Sequence, residues 1–131
     1  MSYGREQVRK QMMFAEPGAG ETGATKTIER GTPAYSEPIS MHQRGAMTLI
    51  ANYEGDETKV YAEVYDPIGD DWIDIEGAPF LVDTLPAEAT DAGRCVRVAG
   101  LPLVDRLRLK FEVQGSGVEE ITINGVVYTV V

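Results

Sequence analysis

The chain has 131 residues, enough for one domain with one modest core. Its 43% hydrophobic and 25% charged residues are ordinary for a globular protein, while 14 glycines and 7 prolines favour many turns over long helices. The formal charge of −9 is uneven: residues 1–30 hold five Lys/Arg against four Asp/Glu, and residues 31–131 hold seven against seventeen, which argues against nucleic acid and anionic membranes as partners.

From Met1 to about Gly45 there is little sustained alternation, and residues 1–45 are expected to form an extended or partly helical N-terminal arm. In REQVRKQMMF, Val8, Met12 and Met13 lie at helical spacing beside Arg5, Arg9 and Lys10, which predicts one or two turns of helix formed against a partner. AEPGAGETGATK, Ala15 to Lys26, is too poor in apolar residues to offset its ordering entropy, so it predicts a flexible link. TKTIERG, Thr25 to Gly31, is the best candidate for a strand added to another sheet edge.

Residues 46–131 read as strands of period two. MTLIANYE (Met47 to Glu54) and TKVYAEVY (Thr58 to Tyr65) are joined by a turn, and Asp66-Pro67 ends the second. WIDIE (Trp72 to Glu76) and PFLVDT (Pro79 to Thr84) are short strands around Gly77. RCVRVAG and DRLRLKFEVQG follow, the latter with Leu107, Leu109, Phe111 and Val113 inward and Arg106, Arg108, Lys110 and Glu112 toward water. EEITINGVVYTVV carries Asn124-Gly125 between apolar runs, which predicts a closing hairpin with a type I′ turn. VVYTVV is apolar on both faces, so it should be central or covered. The expectation is an all-β fold, an antiparallel β-sandwich or jelly roll of about eight strands with an extended N-terminal arm.

The residues offer little for catalysis, and the chain is not expected to be an enzyme. A nucleophilic triad needs a histidine, and the chain has only His42, in SMHQRG close to the flexible region. Cys95 is the single cysteine, so neither an intramolecular disulfide nor a thiolate cluster can form within one chain, and a small strand hydrophobe or edge thiol is expected. The segment from Glu54 to Glu76 holds nine carboxylates and one lysine, but Asp66, Asp70, Asp71, Asp74 and Glu76 do not fit an EF-hand loop. Gly18 to Lys26 lacks the Lys-Ser/Thr of a phosphate loop. No cofactor is implied. Tyr53, Tyr61, Tyr65 and Trp72 would suit a sugar platform if exposed, although Trp72 is expected in the core. No apolar run approaches the roughly 18 residues that span a bilayer, and the N-terminus has no secretory pattern, so assembly in the cytoplasm is expected.

The order MTLIANYE, KVYAEVYDP, DDWIDIEG, PFLVDTL, RCVRVAG, RLRLKFEV and a closing hairpin, over roughly Ala46 to Val131, resembles the decoration (cement) and head-associated β-sandwich proteins of tailed phages. The resemblance implies a virion protein that binds the outer surface of the major capsid lattice and bridges its subunits, with neighbouring copies of itself as further partners. Arg5, Arg9 and Lys10 would then pair with carboxylates on a neighbour, Met12, Met13 and Phe14 would be apolar anchors, and Thr25, Thr27 and Ile28 would lie on the added strand. On that reading, removing residues 1–31 leaves the sandwich folded. The alternatives are a tail or head-completion component and a small carbohydrate-binding or adhesion module.

Overall fold

A computed structural model describes residues 8–16, 18, 20, 23–41 and 45–130. The strands are β1 (Val8–Met12), β2 (Lys26–Glu29), β3 (Ala34–Tyr35), β4 (Ile39–Ser40), β5 (Met47–Gly55), β6 (Thr58–Asp66), β7 (Asp71–Asp74), β8 (Phe80–Leu85), β9 (Glu88–Val98), β10 (Arg106–Val113) and β11 (Glu120–Val130). A 3-10 turn, Ile75–Gly77, joins β7 to β8. The pairs are antiparallel and build two sheets. In sheet A the order is β1-β11-β5-β9, with β2 also on β11; in sheet B it is β3-β10-β6-β7, with β4 on β10 and β8 on β6.

The all-β expectation therefore holds, and alternation explains it. Leu49, Ala51 and Tyr53 of β5 and Ile121, Ile123 and Val127 of β11 face Val60 and Ala62 of β6 and Leu107, Leu109 and Phe111 of β10, each almost wholly buried. Period-two strands of this kind bury one face and hydrate the other. The four inner strands thus supply the two walls of one core.

Most sheet edges are assembled from two pieces. Met12 lies opposite Val126 and Lys26 opposite Ile123, so only Asn124 and Gly125 separate the two pairings on β11, and β1 and β2 are halves of one interrupted edge. β3 and β4 likewise share one flank of β10, with Ser36 between them: its N–H donates to Leu109 O at 2.9 Å, and its Oγ accepts from Leu109 N at 2.9 Å. β8 and β7 divide the outer flank of β6.

Three sequence expectations change here. Val8–Met12 is a strand and not a helix, because β11 offers it a ladder that outweighs a weak local helical pattern. Asn124-Gly125 is no turn: both residues lie inside β11, paired with Asn52 and Ala51, and a Cβ on Gly125 would sit 2.7 Å from Ile50 O and 2.9 Å from Met13 Cε. The glycine serves close approach of the chain at Met13, whose N–H donates to Gly125 O at 2.9 Å, and the last two expected strands are one. Third, the strands of the expected arm are woven into the sandwich, since β1 and β2 pair with β11 while β3 and β4 pair with β10. The expected centrality of VVYTVV is seen, as β11 lies between β5 and the β1/β2 edge.

A candidate binding face on sheet B

Alternation on β10 turns Arg106, Arg108, Lys110 and Glu112 outward, and alternation on β6 does the same for Lys59, Tyr61, Glu63 and Tyr65. Antiparallel pairing then sets Glu63 beside Arg108 and Tyr61 beside Lys110. On the far flank of β6, Trp72 pairs with Tyr65 and Asp74 with Glu63, and on the near flank of β10, Tyr35 pairs with Lys110. One exterior face collects aromatic rings and guanidinium groups from four strands, β3, β6, β7 and β10.

Arg108 is the centre of this arrangement. Its Nε donates to Glu63 Oε1 at 2.7 Å, and its guanidinium carbon lies 3.8 Å from the centroid of the Tyr35 ring and 4.7 Å from that of Trp72. Arg106 covers the Tyr65 ring at 4.1 Å, and Tyr65 meets Trp72 edge-on at 5.5 Å. The Tyr65 hydroxyl donates to Asp70 Oδ1, and that bond raises its pKa above the ordinary tyrosine value. Lys110 bonds Glu112 at 3.0 Å, which raises the lysine pKa. Arginine stacked on aromatic faces keeps its fork rigid at modest entropic cost. The result is a flat, preordered surface of the residue types that dominate binding hot spots.

Trp72 is half-buried on this exterior face and not in the core as expected, because its register partner Tyr65 points outward. Arg106 lies over the Tyr65 ring, and Arg108 lies against the Tyr35 and Trp72 rings. Tyr53 is in the core at 2% exposure and cannot join a platform.

The residues expected to contact a partner are dispersed. Met13 and Phe14 are buried, Phe14 stacking on Phe111 at 5.3 Å between ring centroids, and Ile28 is buried beneath β2. All three belong to the core of their own chain, which corrects the assignment of Met13 and Phe14 as partner anchors and of Ile28 as a partner contact on an added strand: the interrupted edge on β11 turns them inward. Arg9, Lys10, Thr25 and Thr27 are exposed, and the Thr27 hydroxyl lies 3.3 Å from that of Thr122. Met12 is half-buried on the outer side of sheet A. Arg5 and His42 lie outside the described residues.

Sequence reasoning missed Tyr35, Glu63, Trp72, Arg106 and Arg108 as a group. The alternation in RLRLKFEV and KVYAEVY was the available signal. What was not legible was the pairing of β6 with β10 across the 39 residues between Asp66 and Arg106, which no short turn specifies. Cys95 is exposed on β9, as an edge thiol. In the acidic turn, Asp66 Oδ1 accepts the Ile68 N–H at 2.9 Å, and among the described residues no group of three or more His, Cys, Asp or Glu is placed to hold a metal ion. Comparison of the chain with models of known protein families and with the curated proteins found no match in either.

Proposed function

We propose that this chain is a virion structural protein, a capsid decoration protein that binds the outer surface of the major capsid lattice through the exterior face of sheet B and so braces the head. The observation that carries the reading is the Tyr35–Arg108–Trp72 stack with Glu63 beneath it: a rigid, aromatic and arginine-rich face on an otherwise acidic block. Four of the seven Lys/Arg of residues 31–131, Lys59, Arg106, Arg108 and Lys110, project from that one face. Such a surface suits a partner with carboxylates and apolar pockets on its exterior. The order of strands from MTLIANYE to RLRLKFEV, which resembles phage decoration proteins without the closing hairpin, supports the same reading. Repetition on a lattice makes weak individual contacts sufficient.

The test is rebinding to particles stripped of the protein. Arg108→Ala leaves the Glu63 carboxylate without its partner, which costs about 1–3 kcal/mol of folding stability, and removes the centre of the face. Its particle affinity should fall by tenfold or more. Arg106→Ala, which removes a single stacking contact, checks that the loss tracks the face and not unfolding: it should remain folded and bind more weakly than the wild type. Equal binding by wild type and both folded variants would refute the assignment of this face.

A further inference from the structure

β9 is the longest edge strand of the sandwich among the described residues; its ladder with β5 is regular from Ala92 to Val98 and shifts register between Tyr53 and Gly55. It runs from Glu88 to Val98 and pairs on one flank with β5, whereas the β1/β2, β3/β4 and β7/β8 edges are each broken. Its free hydrogen-bonding groups follow from the ladder. Gly125 O accepts from Met13 N, and Glu120 O from Asp56 N, so odd-numbered residues of β11 aim at β1 and even-numbered ones at β5. Carried through the register, this makes Leu49–Val96 and Tyr53–Ala92 hydrogen-bonded rungs. The C=O of Asp91, which shares a peptide with the Ala92 N–H, and the N–H and C=O groups of Gly93, Cys95 and Arg97 therefore point away from the sheet, and all four residues are exposed.

We infer that β9 pairs antiparallel with β9 of a second copy, about a two-fold axis at Arg94. Residues facing each other across antiparallel strands share a sheet face, so only pairings of like parity are allowed. Among such self-pairings, the one centred on Arg94 sets Asp91 opposite Arg97 of the other copy, twice by symmetry. It also sets Gly93 opposite Cys95, and Ala92 opposite Val96 on the inner side. Registers shifted by one or two residues leave Asp91 and Arg97 facing uncharged residues. The two Arg94 side chains meet at the axis, but each is held by a two-pronged bond to its own Asp83, at 2.6 and 3.0 Å, that neutralises it. Such a dimer joins two copies of sheet A and uses up the one edge left long and open.

Sedimentation of the full chain tests this. The wild type should be a dimer. Arg97→Asp, which sets like charges opposite each other twice, should weaken it on the order of tenfold or more, and Asp91→Arg with Arg97→Asp should restore it. Gly93→Cys adds a direct test of register: its thiol would face Cys95 of the other copy at about 5.5 Å between Cα atoms, within disulfide range, and should oxidise to a covalent dimer. Ala89→Cys should not gain such a bond with Cys95. A monomeric wild type, or a dimer indifferent to Arg97→Asp, overturns the proposal.

Discussion

Tyr53 shows how one side chain ties the two sheets. Its ring is buried among β5 neighbours while its hydroxyl donates to Pro86 O at 2.8 Å, on the link from β8 in sheet B to β9 in sheet A. Burial pushes its pKa above the ordinary tyrosine value, Glu88 and Asp83 push the same way, and Arg94 opposes them. A group whose pKa is raised by folding contributes stability while protonated, and that contribution disappears as the pH climbs from the unfolded value through the folded one. The neutral phenol should thus stabilise the sandwich below about pH 10 and cease to do so above it. Tyr53→Phe should lose about 1 kcal/mol at neutral pH, the net value of one hydrogen bond, and flatten the alkaline arm of the stability profile. Denaturant unfolding followed across the alkaline range measures both. An alkaline arm of unchanged steepness in the variant would assign it to other groups.

At the level of elements, β1 and β2 matter most, because they turn a segment of low hydrophobicity into an edge. Met13 and Phe14 sit at the point where the chain leaves β1, and Phe14 crosses the sandwich to the ring of Phe111 on β10. Gly23, at φ +79, returns the loop so closely that a Cβ would lie 2.6 Å from Phe14 O. Gln11 Nε2 donates to Pro38 O at 2.6 Å and Glu37 N to Met13 O at 2.9 Å, tying the sheet A edge to the link between β3 and β4 on sheet B. Phe14→Ala should cost about 3–5 kcal/mol. Removal of residues 1–31, expected from sequence to spare the sandwich, should instead unfold it cooperatively or leave it prone to aggregate, since β11 would lose the partner on its outer flank. Circular dichroism and thermal melting of the truncated chain check this. A truncated chain that melts like the full one would show β1 and β2 to be dispensable.

β5, β6 and β10 were legible because they alternate over eight or more residues, as in Arg106–Val113, and because turn residues flank them. The N-terminal strands were not, because β1 through β4 are two to five residues long and gain their structure from β10 and β11, far off in sequence. Asn124-Gly125 misled for a related reason: the dipeptide permits a tight turn, but the close approach of Ile50 and Met13 also demands a glycine, and the tertiary requirement won. Of the binding face, the outward direction of each residue was readable. Their convergence was not, since it depends on long-range register.

The whole molecule is a block stapled on both sides. Arg94 and Asp83 join β9 to β8 on one flank, and the contacts of Gln11 and Glu37 join the opposite edges. A rigid two-layer block with a preordered face on sheet B and an open edge on sheet A suits passive bracing of a repetitive surface, where each copy contributes little and many act together. The most direct test of that account is the copy number of the chain in purified particles from its own source, by quantitative mass spectrometry against the major capsid subunit. The account predicts a ratio near a simple fraction of the capsid lattice. A handful of copies per particle, or none, would contradict it.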